Sequence, residues 1–221
     1  MILSKVAYDW GDKTTLNKAF SIMKLLSHPF GEYATHCYLI QAPEGEIIID
    51  PGKGALEWVL ENCSNPLAIL NTHGHFDHVW SNHALKEQLP NTPLVIPKED
   101  AFMLASDCFG TGLTPSIPDL LVEGECVELE FGGIKVLYRH FPGHTPGCST
   151  IEIGEWMFSG DFIFKSSIGR SDFPYSSSEL MRESLERFGA LTYDKPLFPG
   201  HGESSTIAKE QKNLPFWFSR L

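Results

Sequence analysis

One short segment, THGHFDH at residues 72–78, constrains this chain more than any other. It follows the apolar run at residues 67–70 and holds four residues of metal-ligand type: His73, His75, Asp77 and His78. Gly74 suits a tight turn that lets the flanking imidazole rings face one point. Imidazole and carboxylate groups together suit zinc, iron, manganese or cobalt, and no thiolate is needed. The spacing HxHxDH after a strand therefore predicts a metal site rather than a histidine-rich surface loop.

Three later residues of the same chemical type each follow a strand-like run and lie beside a glycine. They are His144 in FPGHTPG, Asp161 in SGD and His201 in FPGHG. Loops at strand ends are where a rigid scaffold presents functional side chains. Each alone could be structural, as a buried hydrogen-bonded histidine or a turn-capping aspartate. Because the same context recurs three times, we expect these residues to join the first four at one site.

The order of apolar patterns predicts the layers of the fold. Strands are expected at 37–40, 46–50, 67–70, 93–97, 126–131, 134–140, 148–153 and 156–159. Helices are expected at 55–62, 79–89, 99–106, 178–188 and 203–214. Strand-rich and helix-rich stretches alternate, which indicates two β-layers with helices outside rather than a parallel doubly wound sheet. With no repeat or linker, residues 1–221 are interpreted as one domain, and residues 1–22 as an N-terminal extension of it.

Composition narrows the classes of partner. The net charge of −11 repels phosphate backbones, so nucleic acid is not the expected partner. Five widely spaced cysteines without a CxxC pair indicate reduced thiols that are not metal ligands. The start lacks the apolar core of a signal peptide, and no run reaches membrane-spanning length. We therefore expect a cytoplasmic protein that acts on a small molecule and has no membrane partner, while its oligomeric state stays open.

The HxHxDH segment, the PGHTPG segment, Gly160-Asp161 and the late GHG together resemble the metallo-β-lactamase superfamily. The resemblance covers residues 73–202 and implies a four-layer αββα sandwich, with strands from about residue 24. It also implies two divalent metal ions, with zinc expected first and iron or manganese as alternatives. The implied ligands are His73, His75 and His144 for one metal, Asp77, His78 and His201 for the other, and Asp161 as the bridge.

Within the superfamily, the chain is most similar to small bacterial members of the glyoxalase II-like branch. The segments GDFIFKSSIGRSDFP at 160–174 and FGEYATHCY at 30–38 carry this resemblance. It implies hydrolysis of thioesters such as S-D-lactoylglutathione, by a metal-bridging hydroxide that Asp77 orients. Arg170 is a candidate for binding a substrate carboxylate as a fork, and an ion pair with Asp172 is the competing interpretation. His36 stands where asparagine is common in the related segment. We interpret it either as a residue that contacts the metal ligands or as a structural histidine.

Two other activities stay open. The segment GRSDF at 169–173 also resembles the persulfide dioxygenases, which hold one iron through residues corresponding to His73, His144 and Asp161. Lactonase or β-lactamase activity is the less favoured alternative. A non-catalytic scaffold is disfavoured because it would lack some of the metal ligands, and all seven candidate ligands are present.

Overall fold

The first half of the described chain forms a six-stranded mixed sheet. The computed structural model describes residues 23–221, so the interpretation of residues 1–22 lies outside the described residues. The strands, in both chain and spatial order, are β1 (Lys24–Phe30), β2 (Thr35–Ala42), β3 (Gly45–Ile49), β4 (Pro66–Leu70), β5 (Leu94–Pro97) and β6 (Leu120–Val122). β1 to β3 pair antiparallel, and β3 to β6 pair parallel. The carboxyl ends of β3, β4 and β5 therefore meet at one edge.

The second half forms another six-stranded sheet and one small hairpin. In chain order the strands are β7 (Cys126–Phe131), β8 (Ile134–His140), β9 (Ser149–Ile153), β10 (Trp156–Gly160), the hairpin strands β11 (Ile163–Phe164) and β12 (Ser167–Ile168), β13 (Pro196–Pro199) and β14 (Ser205–Thr206). The spatial order of the sheet is β14-β13-β10-β9-β8-β7. β10 and β13 pair parallel, so their carboxyl ends also share an edge.

The two sheets pack face to face through alternating side chains. Ile47 and Ile49 of β3 join Ile151 and Ile153 of β9 and Phe158 of β10 in one buried cluster. Because strand side chains alternate between faces, their neighbours point to the opposite face of each sheet. Ile48 accordingly packs into a second cluster on the outside of the first sheet.

Helices cover both outer faces. They are α1 (Leu56–Asn62), α2 (Phe76–Val79), α3 (Asn82–Gln88), α4 (Ala101–Ala105), α5 (Ser178–Gly189), α6 (Ile207–Gln211) and α7 (Leu214–Phe218), with a 3-10 turn at Lys98–Asp100. Val59 of α1 and Leu85 of α3 pack against the first sheet. Leu185 of α5 and Ile207 of α6 pack against the second. The predicted αββα sandwich is confirmed. Among the described residues, no helix is both long and apolar enough to cross a membrane.

The predicted helices at 79–89 and 203–214 were wrong in extent. The first is interrupted between α2 and α3, where Ser81 binds the preceding loop: its backbone N–H donates to Pro51 O (2.9 Å) and its hydroxyl to Gly52 O (2.6 Å). In the second, Ser205 and Thr206 extend the sheet as β14. The Thr206 hydroxyl then caps α6 by accepting from the Lys209 backbone N–H at 3.3 Å. Both breaks depend on contacts with distant segments, which a local apolar pattern does not contain.

Candidate metal centre

The seven predicted site residues all follow the carboxyl ends of strands. β4 leads directly into the segment that carries His73 and His75, and α2 then presents Asp77 and His78. The other three follow β8, β10 and β13 in turn, and they are His144, Asp161 and His201. The facing edges of the two sheets therefore contribute four and three residues respectively.

The structure brings all seven together in three overlapping groups. Within each group the potential ligand atoms lie within 4.8 Å of one another: His73-His75-His144, His73-His78-Asp161 and Asp77-His78-His201. The first and third groups are the two ligand triads implied by the resemblance. Asp161 faces both triads, because its Oδ1 lies 3.2 Å from His78 Nε2 and its Oδ2 lies 3.5 Å from His144 Nε2. Such an arrangement suits a bridging carboxylate.

Hydrogen bonds orient four of the five histidines through Nδ1. His144 Nδ1 lies 2.8 Å from Arg170 O, and His201 Nδ1 lies 2.9 Å from Tyr33 O. A carbonyl oxygen only accepts, so both Nδ1 atoms donate. His78 Nδ1 donates to Asp50 Oδ2 (3.0 Å) for the same reason. Each of these rings therefore presents Nε2 to the centre of the site.

His73 is oriented by the same rule through a hydroxyl relay. The Thr72 hydroxyl donates to Asp50 Oδ2 at 2.6 Å, so its oxygen is left to accept from His73 Nδ1 at 3.1 Å. One carboxylate thus fixes two imidazole rings, one in each triad. Asp77 is held separately, because its Oδ2 accepts from the Thr35 hydroxyl at 2.8 Å.

Unpartnered buried atoms show that this donor set fits a metal. Among the described residues, several buried polar atoms lack a hydrogen-bond partner, and four of them face the centre of the site: His73 Nε2, His78 Nε2, His144 Nε2 and Asp161 Oδ1. A buried polar atom without a partner is costly, and cations bound by the two triads would remove that cost. The set holds imidazoles and carboxylates without a thiolate, which suits zinc, iron or manganese.

The pKa values divide the histidines into two classes. Burial lowers the pKa of His73 and His144, and it lowers that of His75 to about 3. These three imidazoles are therefore neutral, as metal ligands must be. Burial also acts on His78 and His201, but neighbouring carboxylates outweigh it. They raise the pKa of His78 well above its usual value and that of His201 to about 9.

The carboxylates remain ionised. Burial would raise the pKa of Asp77, but His78 and His201 bring it down to about 2. The pKa of Asp161 lies well below its usual value for a similar reason, with His78 as the main opposing partner. Protons on His78 and His201 thus stand where cations would bind, so metal affinity should fall as pH falls.

Sequence reasoning missed two buried aspartates that support the site. Asp50 follows β3 and precedes Pro51-Gly52, the same strand-end context as the recognised ligands, and that context was a usable signal. Asp100 accepts from Gly74 N (2.9 Å), Gly147 N (2.6 Å) and the Thr145 hydroxyl (2.6 Å). It therefore ties the HGH turn to the PGHTPG loop. Nothing local in the sequence distinguishes Asp100 from an ordinary helix residue.

Gly200 allows the loops of the two sheets to approach each other. A Cβ there would lie 2.5 Å from His78 Cε1 and would also collide with Asp161 Oδ1. Glycine therefore precedes His201 because of a close approach to His78 and Asp161, and any side chain would displace these two predicted ligands.

A cavity of about 370 Å³ opens over the cluster. Its aromatic walls come from Tyr33, Phe76, Phe109 and Phe173, and His75, Asp77, His144, Asp161 and His201 line it as well. The four aromatic side chains were not predicted as site residues. A largely apolar pocket with a few convergent polar groups is the usual form of a small-molecule site.

Arg170 lies close to this cavity, but it is not one of the described residues that line it. Its guanidinium forms a two-pronged ion pair with Asp172 (both distances 2.8 Å) and lies 4.1 Å from the centroid of the Phe173 ring. His36 contacts the loop that carries His201, since its Nε2 lies 3.0 Å from Gly202 O. Its Nδ1 lies 3.1 Å from the Ser27 hydroxyl.

Comparison with known proteins places this geometry in a family. The family model described as "Metallo-beta-lactamase superfamily" matches residues 30–201. Hydroxyacylglutathione hydrolase GloC of Haemophilus influenzae is 32% identical over 207 residues, which cover 87% of this chain and 97% of that protein.

Two solved structures share the fold at 28% sequence identity. BLEG-1 B3 metallo-beta-lactamase has a TM-score of 0.78, with 87% of this chain and 98% of that chain covered. TTHA1623 in a di-iron-bound form has a TM-score of 0.72, with 90% and 100% covered. Since the family model spans most of the chain and includes all seven site residues, the chain belongs to the metallo-beta-lactamase superfamily.

Proposed function

We propose that this protein is a metal-dependent thioester hydrolase whose substrates include thioesters of the S-D-lactoylglutathione type. The observation that carries the proposal is the pair of ligand triads, joined by Asp161, at the floor of an aromatic-lined cavity. The likeness to GloC supports the substrate class, because that relative is named a hydroxyacylglutathione hydrolase. We assign the two triads to two divalent cations, zinc first, with iron and manganese as alternatives.

Bound divalent cations would supply Lewis acidity and would lower the pKa of water towards neutrality. The protein side chains supply position. Asp77, ionised and fixed by Thr35, presents a carboxylate oxygen that can accept a hydrogen bond from the attacking water. Phe76, Phe109 and Phe173 shield the reacting carbonyl from bulk water. Water adds to the carbonyl carbon, the C–S bond breaks, and the products are a carboxylic acid and a thiol.

The direct test is the initial rate of S-D-lactoylglutathione hydrolysis by zinc-loaded protein beside a chelator-treated sample. We expect metal-dependent turnover, and a loss of at least about 100-fold in kcat/KM for Asp77→Asn because the variant cannot present an anionic oxygen. Asp194→Asn is the matched control. Asp194 is exposed and accepts from the Ala208 backbone N–H at 2.9 Å, outside the cleft. Near-normal turnover by Asp77→Asn would refute the assigned role.

A mono-iron persulfide dioxygenase is the second candidate, because the segment GRSDF at 169–173 resembles those enzymes as well. The segment that resembles those enzymes lies directly against the site, because Arg170 O binds His144 Nδ1 and the Phe173 ring lies 6.2 Å from the His144 ring. Oxygen uptake by iron-loaded protein with a glutathione persulfide would support this candidate. Uptake without thioester turnover would replace the hydrolase assignment.

A β-lactam substrate is tested in the same series. BLEG-1 is named a B3 metallo-beta-lactamase, and a chromogenic cephalosporin assayed beside the thioester would compare the two activities directly. We expect the thioester to be the better substrate by kcat/KM. The prediction that Arg170 binds a substrate carboxylate remains a prediction, and it requires the ion pair with Asp172 to open.

A further inference from the structure

A second cavity of about 230 Å³ adjoins the cleft over the metal centre. The two cavities share Tyr33, Phe76 and Asp77 as lining residues. The rings of Tyr33 and Phe76 stand edge to face, with centroids 5.6 Å apart. The second cavity therefore begins directly behind this aromatic pair, beside the carboxylate of Asp77. We call it the side compartment, and its further lining residues are Phe30, Gly31, Glu32, Thr35, Lys53, Trp80 and Thr111.

One loop roofs both cavities. Phe109 lines the cleft and Thr111 lines the side compartment, two residues further on. Asp107 holds this loop in place, since its carboxylate accepts from Thr111 N (2.8 Å), from the Thr111 hydroxyl (2.9 Å) and from Gly112 N (2.7 Å). The shared lining residues and the hydrogen-bonded loop place the two cavities next to each other, so the side compartment lies within reach of a long substrate bound in the cleft.

The charges around the two cavities single out Lys53. Among the described residues, it is the one lysine or arginine that lines either cavity. Nearby Arg170 is neutralised by Asp172 through two 2.8 Å hydrogen bonds, and Lys165 is neutralised by Glu203 at 2.5 Å. Lys53 forms a looser ion pair with Glu32, because the 3.7 Å between Nζ and Oε1 is too long for a hydrogen bond.

The position of the Lys53 ammonium is set by an aromatic face. Its Nζ lies 4.9 Å from the centroid of the Trp80 ring, and a cation over an aromatic face at this distance is stabilised. The chain carries a net charge of −11, so an anionic ligand meets a repulsive field overall. An anionic ligand therefore requires a positively charged side chain near the site, and the loosely paired Lys53 is such a side chain.

We propose that the side compartment binds a carboxylate of the substrate through Lys53, with the chain that bears it packed against Trp80 and Phe30. The inference rests on the proposed hydrolase function and narrows it to carboxylate-bearing thioesters. Lys53 is then a determinant of substrate specificity, because it acts on an end of the molecule remote from the scissile bond.

The test is the binding of a thioether that cannot be hydrolysed, measured by calorimetry on zinc-loaded protein. The probe is S-hexylglutathione, compared with its diethyl ester, in which both carboxylates are blocked. We expect Lys53→Met to weaken binding of the free acid about tenfold, Lys53→Arg to retain it, and all proteins to bind the diester alike. The matched control is Lys135→Met, which removes an equally charged, exposed side chain paired with Glu128 on the β7–β8 hairpin.

The outcomes separate this inference from the hydrolase assignment. Lys53-dependent binding without thioester turnover would support the compartment and refute the proposed reaction. Turnover with unchanged binding by Lys53→Met would refute the compartment and leave the hydrolase standing. Failure of the wild-type protein to bind the free acid, or equal weakening of the diester, would also overturn the inference.

Discussion

Asp50 carries more of the metal centre than its single position in the sequence indicates. Its backbone is in the left-handed region (φ 49°), which costs a non-glycine residue of order 1 kcal/mol. In that conformation its buried carboxylate faces Thr72 and His78. The carboxylate accepts hydrogen bonds from the Thr72 backbone N–H (2.8 Å), from the Thr72 hydroxyl (2.6 Å) and from His78 Nδ1. Through these bonds one residue fixes the rings of His73 and His78. The strained backbone of Asp50 is therefore tied to the orientation of His73 and His78.

We predict that Asp50→Asn weakens zinc binding and lowers kcat/KM, each by about 10–100-fold, the usual cost of altering a group that orients a metal ligand. Asparagine keeps the shape of aspartate and tolerates the left-handed backbone, so the fold should be retained. The amide lacks the charge and one of the two acceptor oxygens that Thr72 and His78 use. Competition with a chromophoric chelator measures the affinity. An unchanged zinc affinity would show that Asp50 has a purely structural role.

Among single residues, sequence reasoning found the side chains that can themselves bind a metal. It missed the side chains that only orient those ligands through hydrogen bonds. His73, His144 and His201 were recognisable because histidines beside glycines at strand ends are uncommon unless they bind something. Asp100 looks like any acidic residue near a helix start, and only the folded chain shows that its carboxylate receives three hydrogen bonds. The aromatic lining of the cavity was missed for the same reason, since aromatic residues are ordinary core residues in a sequence.

Among the elements, the outer face of the second sheet carries a buried ionic cluster at Glu152 of β9. Its Oε1 accepts from Arg139 Nε of β8 and from the Tyr193 hydroxyl, both at 2.6 Å, and its Oε2 accepts from Lys195 Nζ at 2.8 Å. The cluster ties two strands to the segment between α5 and β13. Burial raises the pKa of Glu152, but Lys195, Tyr193 and Arg139 outweigh it and leave that pKa below its usual value of 4.5.

We predict that Glu152→Gln lowers the free energy of unfolding at pH 7 by about 1–3 kcal/mol, because it leaves three half-buried donors poorly paired around a buried side chain. Since the pKa of Glu152 is lower in the folded state, the carboxylate stabilises the protein above its unfolded pKa of about 4.5. That stabilisation is lost as pH falls through the lower folded value. The difference between wild type and variant should therefore shrink below about pH 4.

Urea unfolding of both proteins across this pH range measures the effect of Glu152. Glu128→Gln is the matched control, because Glu128 of β7 lies in the same sheet but is exposed and forms an ion pair with the exposed Lys135. We expect this control to change stability by less than about 0.5 kcal/mol at any pH. A difference for Glu152→Gln that stays constant with pH would contradict the ionic account.

The elements themselves were predicted well where alternation or a strand-turn-strand pattern spans several residues. The predicted strands at 126–131 and 134–140 have the observed bounds of β7 and β8. The short strands β6, β11, β12 and β14 were not predicted. Strands of two or three residues are stabilised by their partners, as Ser205 is by Leu197 across the sheet, and carry no pattern of their own. Local sequence cannot show such pairings.

For the whole molecule, the candidate metal centre is a point where the two halves of the described chain meet. The first half supplies His73, His75, Asp77 and His78, and the second half supplies His144, Asp161 and His201. Cations held by both groups would cross-link the two β-layers at one edge of the sandwich. Since the ligands lie far apart in the unfolded chain, binding favours the native state by mass action.

We therefore predict that chelation lowers the Tm of the whole protein by about 5–15 °C, as a site at 100–1,000 times its Kd stabilises a domain of this size. Differential scanning calorimetry of zinc-loaded and chelated samples measures the shift. His201→Gln should reduce the shift, because it removes one ligand contributed by the second half. His83→Gln should not, since His83 is half-buried and lies outside the grouped ligands. An equal Tm with and without chelator would mean that the seven residues do not join the two sheets through a metal.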